Sequence, residues 1–488
     1  MVSYDVMIWG REKNMLFTSP AFIFLFLTLS VIFFCIFGNK IKKTCIGVIC
    51  VIFHIMLNLS HPENLIWLPL LIIYTFSAAE LCARKGKRAL SVVLGIVPIA
   101  WLIVMRQLAY YGAEEGIYPI GITMPALCAA GYVFDSVKNE FYTETPSSLC
   151  RFFDLSLYLC FFPLMILGPF ISFDDFLKLT SDENMVMSLP RSSSGARLFA
   201  VGFIKRIAIG AVLMEGYGKI FAYSWESPNL AIILLLLVLL YFGVFFTVAG
   251  YYDMSVGLCR IYGLDVPEME TNPLRVATLN EYSKALFSNV RVWSDRYVVG
   301  PICAVTGRSA GGLLKISAFC VCTIIFIRSE LPALALAVPL IAFACASASL
   351  KLDKSHKGGR TGLRMLFGIL MVLVVGVFWV FITIGGSNTS LLELVEQISF
   401  DNAEYQMDLV LISFSGLKYL FVCCIALTVI IPSTGFAGRL YGRMRPKLKA
   451  VVDYGSMILL LALFIFTVLF FLPSFAQYNN MMFDYIII

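Results

Sequence analysis

Charge is scarce in this chain. Of its 488 residues only 14% are charged, where an ordinary soluble domain carries about 25%. With a mean hydropathy of +0.86, that scarcity excludes a soluble enzyme, a disordered tail protein and a secreted disulfide scaffold. Imidazole is scarcer still. His54, His61 and His356 are the only histidines, which leaves few groups for chemistry that needs one. Lys+Arg 37 against Asp+Glu 31 gives +6, too mild a balance for nucleic acid as a partner. No Gly-rich phosphate loop precedes a helix, and Gly311–Gly312 near Arg308 is too short to cradle a phosphate. No metal-ligand constellation is present either, so no cofactor is implied.

The 14 cysteines form no framework. Cys35, Cys50, Cys160, Cys320, Cys322, Cys345, Cys423 and Cys424 sit in apolar runs, where a thiol acts as a small hydrophobe. Neither Cys320/Cys322 nor Cys423/Cys424 has His or carboxylate neighbours at zinc spacing.

Long apolar runs fill the space that charge leaves. A bilayer core takes about 20 apolar residues per helix. Such runs recur at Ala21–Phe37, Thr44–Leu59, Leu65–Leu81, Leu90–Leu108, Leu230–Val248, Leu331–Leu350, Leu363–Ile384, Leu409–Ile431 and Val452–Leu472. Tyr118–Val133, Phe152–Ile171, Leu198–Ile220 and Lys315–Ile327 are apolar but broken by Pro, Gly or charge. Breaks at membrane depth must be shielded by protein or line a cavity. The basic stretches Lys40–Lys43, Arg84–Arg88, Lys351–Arg364 and Arg439–Lys449 are all expected in the cytoplasm. Both termini and the acidic loop Ile384–Asp408 then lie outside. Lys40, Lys42 and Lys43 after the first run predict a retained anchor rather than a cleaved leader. No repeat or low-complexity linker interrupts the chain, which reads as one polytopic domain over 1–488. Its N-terminal spans cover 1–110, a core 111–350 and C-terminal spans 351–488.

Three islands are more polar and aromatic than lipid burial alone would give. They are Tyr118–Asp135, Phe152–Phe176 and Val248–Pro301. In the second, Pro163, Gly168 and Pro169 interrupt an apolar segment. In the third, Asp253 and Arg260 are seven apart and share one helix face, where they line a cavity or form a packing pair. Leu279–Val299 predicts an amphipathic helix, with Glu281, Lys284, Arg291, Asp295 and Arg296 interleaved with Tyr282, Leu286, Val290, Trp293 and Tyr297. It fits an interfacial anchor or an active-site wall equally.

In chain order, these stretches resemble the membrane-bound O-acyltransferase (MBOAT) family, nearest its bacterial alginate O-acetyltransferase and teichoic acid D-alanyl transferase branch. Tyr118–Asp135 is similar to the family's LPIGISFFTFQ…YLIDVYRG segment. Phe161, Phe162, Pro163, Gly168 and Pro169 match its FFP…GP stretch, and Leu198–Arg206 (LFAVGFIKR) resembles LFALGLFKK. Tyr251–Gly263 with Pro267 resembles YSDMAIGLGRLFGFRFP, and Trp379–Phe381 and Phe483–Ile486 echo the later WVFFR and FIYF. The resemblance implies an all-α polytopic membrane fold, a ring of roughly 11–13 tilted and broken helices around a central cavity, with interfacial helices. It implies acyl transfer to hydroxyls of an exported polysaccharide or envelope polymer in a bacterial cytoplasmic membrane. Membrane lipid, an acyl-carrier or acyl-thioester donor on the cytoplasmic side, and an envelope polymer or partner protein outside are the implied partners.

The family's two histidine motifs have no histidine here. Phe287 stands in the first, and Arg328 or Ser329 in the second, within IIFIRSELP. Arg328, Ser329 and Glu330 are therefore the candidate catalytic residues, with Asp253 a further candidate base. Arginine stays protonated and is a poor base. Asp253, Arg260, Glu281, Phe287, Trp293, Pro163 and Pro169 are expected to line the cavity. Two further readings remain open: a non-catalytic partner of the same fold, and a lipid or polymer transporter.

Overall fold

The computed structural model describes residues 16–59, 61–110, 119–137, 147–181, 183–224, 230–268, 288–306 and 446–471, with 283–284, 314–315 and 318 as isolated positions. The expected runs Leu331–Leu350, Leu363–Ile384 and Leu409–Ile431 lie outside them. Every regular element among the described residues is helical. Among the described residues three helices are long and apolar enough to cross a membrane: Pro62–Lys85, Arg88–Met105 and Ile232–Ile261. The chain is accordingly a membrane protein.

A π-helical turn over Ala21–Phe26 leads into α1 (Leu27–Leu57), which is continuous in hydrogen bonding but breaks direction at Ile41 (φ −141°, ψ 54°). The two expected runs there are two arms of one kinked helix, with the lysines at the kink. Next come α2 (Trp67–Lys85) and α3 (Arg88–Tyr110), a hairpin closed by Gly86 at φ 62°. That left-handed conformation is cheap only for glycine. The Tyr74 hydroxyl donates to the Leu94 carbonyl at 2.7 Å, and Trp67 meets Trp101 at 5.3 Å between ring centroids.

Helix α4 (Thr123–Asp135) is buried along most of its length. Helix α5 (Ser148–Cys160) starts where the Ser147 hydroxyl accepts the Cys150 N–H at 3.3 Å. Arg151 and Asp154, three apart and so neighbours on one face, tie it to Glu80 of α2 at 2.9 Å and Lys43 of α1 at 3.1 Å. The first two basic stretches are thereby brought to the same end of the bundle.

Phe161 (φ −61°, ψ 95°) ends α5. The chain then passes through the single turn α6 (Phe162–Met165) and an irregular stretch holding Gly168 and Pro169, before α7 (Phe173–Leu179). This is the break expected from Pro163, Gly168 and Pro169, and both prolines are buried. Phe162 packs among Phe26, Phe53 and Tyr262, with ring centroids 5.1–5.9 Å apart.

Helix α8 (Leu189–Ile204) passes through a π-helical turn (Lys205–Gly210) into α9 (Ala211–Ser224). Helix α10 (Leu230–Ile261) follows. The apolar run was expected to end at Val248, yet α10 continues three turns further and takes YYDMSVGLCRI into one helix. After it come α11 (Ser288–Ser294), a π-helical turn (Asp295–Val299), α12 (Gly300–Thr306) and, near the C-terminus, α13 (Pro446–Phe466). The last of these begins inside the basic stretch expected as a loop up to Lys449.

Helices α8 and α10 run antiparallel along a glycine seam. A Cβ on Gly195 would stand 2.6 Å from the Gly257 carbonyl oxygen, and one on Gly202 would stand 2.6 Å from that of Gly250. The glycines recur at seven residues in both helices, so both contacts fall on one stripe. Small residues of this kind let helix backbones approach in membranes, where apolar burial alone does not drive association.

Candidate functional site

Polar residues far apart in sequence converge. Lys205 opens the π-helical turn and reaches Asp253 of α10 at 2.5 Å, with both side chains 8% exposed. A π turn brings successive side chains closer in angle than the about 100° of an α-helix, so Lys205 and its neighbour Arg206 are both buried. The Arg206 guanidinium lies over the Tyr251 ring, 5.3 Å from its centroid.

Asp253 and Arg260 do not pair, contrary to one expectation from their spacing. Two helical turns separate them by about 10.5 Å along the axis. Lys205 is closer to Asp253 across the seam, and Arg260 turns to Asp265 at 3.4 Å and to Glu268. Arg260 thus caps the C-terminal end of α10, where a cation is favoured.

The break between α6 and α7 frees backbone carbonyls, and side chains from two helices take them up. The Ser255 hydroxyl donates to Leu167 O at 2.9 Å, and the Tyr158 hydroxyl to Ile171 O at 2.7 Å. Tyr262, at the end of α10, shares a 2.6 Å hydrogen bond with Ser30 of α1.

The segment expected as an amphipathic helix closes the group from another side. Trp293 is 4% exposed and its indole N–H donates to Leu127 O of α4 at 3.1 Å. Arg291 pairs with Asp295 at 2.9 Å and donates to Ser283 at 3.0 Å. Asp135, at the end of α4, accepts from Arg296 at 3.0 Å and from the Tyr297 hydroxyl at 2.8 Å on the same oxygen. Burial, then the charge of Asp135, pushes the Tyr297 phenol well up from its ordinary value. Asp174 and Asp175 of α7 stand 3.7 and 3.9 Å from Arg296 on the more open side. Trp293 and Arg291 face the bundle from α11, while Val292 of the same helix is exposed.

Of the residues expected to line a cavity, Asp253, Trp293, Pro163 and Pro169 are buried in this one connected region, and Arg260 sits at its edge. Glu281, Phe287, Arg328, Ser329 and Glu330 lie outside the described residues, as does His356. His54 is buried in α1, and His61 pairs with Glu63 at 3.0 Å before a 3-10 turn. Among the described residues no group of three or more His, Cys, Asp or Glu is arranged to hold a metal ion. The spacing argument missed Lys205 and Asp135. A Lys-Arg doublet closing an apolar run, LFAVGFIKR, and a lone Asp closing another, are the signals that mark them.

No family model matches the chain. It is 23% identical over 293 residues to a probable alginate O-acetylase AlgI from Pseudomonas fluorescens, covering 58% of this chain and 56% of that protein. It is 25% identical over 183 residues to a probable alginate O-acetylase AlgI from Azotobacter vinelandii, covering 37% and 35% of the two chains. A peptidoglycan O-acetyltransferase from Helicobacter pylori is 21% identical over 165 residues, 32% of this chain and 29% of the relative. The chain thus spans a little over half the length of the first of these curated relatives and less of the others.

Proposed function

We propose that this protein is a membrane-bound O-acyltransferase of the MBOAT type, which transfers an acyl group to hydroxyls of an exported polysaccharide or other envelope polymer. One observation carries the reading: the motif stretches that resemble the family are bonded to one another. LFAVGFIKR meets YYDMS through Lys205–Asp253, YYDMS meets the FFP…GP break through Ser255–Leu167, and the amphipathic segment meets YPIG…FD through Trp293–Leu127 and Arg296–Asp135. Stretches far apart in sequence that share one polar interior are what a common site requires. The names of the distant relatives, alginate O-acetylase and peptidoglycan O-acetyltransferase, support the same reaction class.

Acyl transfer needs a base for the acceptor hydroxyl and donors for the developing oxyanion. Asp253 would have to give up a buried ion pair to act as base. In this reading the base is therefore Glu330, with Arg328 beside it as a fixed cation for the oxyanion and Ser329 as a hydroxyl donor. The test is acetyl transfer from a thioester donor to alginate and peptidoglycan oligosaccharides by the purified full chain. Turnover by wild type with a loss of about 100-fold or more in Glu330→Gln is expected. Full activity in both Glu330→Gln and Ser329→Ala overturns the site assignment, and no turnover by wild type on either acceptor overturns the enzyme reading.

A further inference from the structure

The turn between α2 and α3 gathers charge that the site does not use. Arg84, Lys85, Lys87 and Arg88 are all exposed around Gly86. Arg84 is 81% exposed and only 3.8 Å from Glu80, while Lys85, Lys87 and Arg88 have no ion-pair partner among the described residues. Both helices that flank the turn are long and apolar enough to cross a membrane, so the turn lies at an interface. Trp67, at the far end of α2, meets Trp101 of α3. Eighteen residues separate Trp67 from Lys85, about 27 Å of helix, close to the about 30 Å of a hydrocarbon core.

Directly below the cations the outer face of α3 is apolar and exposed among the described residues. Val93 is 63% exposed and Ile96 49%, and at i and i+3 they share one face. Phosphate complements the turn, and acyl chains complement the face beneath it. An acidic protein or a free anion would leave that apolar face without a partner.

We propose that the α2–α3 turn is a binding site for an anionic glycerophospholipid. Its headgroup phosphate is held by Arg84, Lys85, Lys87 and Arg88, and its chains lie along Val93 and Ile96. Surface cations of this kind favour anionic headgroups additively and are screened by salt.

The full chain, purified in detergent, is titrated with fluorescent phosphatidylglycerol and with the same label on phosphatidylcholine. Phosphatidylglycerol is expected to bind about tenfold more tightly at low salt, with the gap closing as salt rises. The quadruple variant Arg84→Gln, Lys85→Gln, Lys87→Gln, Arg88→Gln is expected to bring the two lipids within about twofold. Inorganic phosphate is expected to displace no more lipid than sodium chloride of equal ionic strength.

Three outcomes overturn the site: equal affinity for the two lipids in wild type, an unchanged preference in the quadruple variant, or displacement by phosphate beyond the ionic-strength control. If wild type shows no lipid preference and an acidic soluble protein binds in a turn-dependent way, the turn belongs to a protein partner instead. Should the quadruple variant fail to fold, Lys87→Gln alone reads the same point. It is expected to lower the preference about twofold, and no change there overturns the site as well.

Discussion

Two helix pairs in this molecule treat charge in opposite ways. The α2–α3 hairpin keeps its charges near its ends and turns Val93 and Ile96 outward. The α8–α10 seam brings backbones together at Gly195–Gly257 and Gly202–Gly250 and holds Lys205–Asp253 beside them, inside the bundle. One pair turns apolar side chains to the outside, and the other packs its glycine stripe and its ion pair against protein. A buried charge in an apolar bundle must be paired, because the cost of desolvation falls on whichever ion is left alone. The seam therefore depends on complementarity at single atoms, whereas the hairpin depends on length and hydropathy.

The largest way to break that contrast is to remove one member of the buried pair. Asp253→Asn leaves the Lys205 ammonium buried without its counter-ion, and about 3–5 kcal/mol of stability is expected to go. Thermal unfolding in detergent reads this as a drop in midpoint. The double variant Lys205→Met, Asp253→Leu is expected to recover most of the loss, because two matched apolar groups need no counter-charge. A double variant as unstable as the single one would show that Asp253 holds more than Lys205. Lys87→Gln, a charge removal in the exposed hairpin turn, is the control and should leave the midpoint unchanged.

That contrast also explains what sequence could tell. Hairpin helices are legible because hydropathy and length alone define them, and both spans appear within a few residues of their expected limits. The break at Pro163, Gly168 and Pro169 is legible for a related reason: proline and glycine act locally. The end of α10 is not legible. The apolar run closes at Val248, and sequence does not reveal that Lys205, 48 positions before Asp253, supplies the counter-charge that lets the same helix run on. The seven-residue spacing of Asp253 and Arg260 places both on one face, but one face is not one contact. Trp293 and the two prolines, singled out by their sequence context, are buried in the structure. Lys205 and Asp135 emerge only once the helices are packed.

A smaller change tests the glycine seam itself. Gly202→Ala adds one methyl group where the Gly250 carbonyl oxygen would be 2.6 Å away and the Met254 backbone nitrogen 2.7 Å. Backbone atoms cannot swing aside as a side chain does, so α8 and α10 must separate. Overpacking of this kind costs about 1–3 kcal/mol. The same separation stretches Lys205 from Asp253, so this variant should not be additive with Asp253→Asn. Additive losses in the double variant would mean that the seam and the ion pair are independent devices.

The smallest effect has the opposite sign. Gly218 lies in α9, the helix that continues the seam beyond the π-helical turn, and it is exposed. A Cβ there meets nothing within 4 Å. Gly218→Ala therefore carries no clash and removes glycine's backbone entropy from a helix interior, so a gain of up to about 1 kcal/mol is expected. The contrast between residues 202 and 218 separates two reasons for a glycine in a membrane helix. One position needs the space for a neighbouring backbone, and the other shows no such need. A loss of stability at 218 as large as that at 202 would mean that a segment outside the described residues packs against α9 there. An increase in midpoint shows that α9 does not need glycine at 218 as α8 needs it at 202.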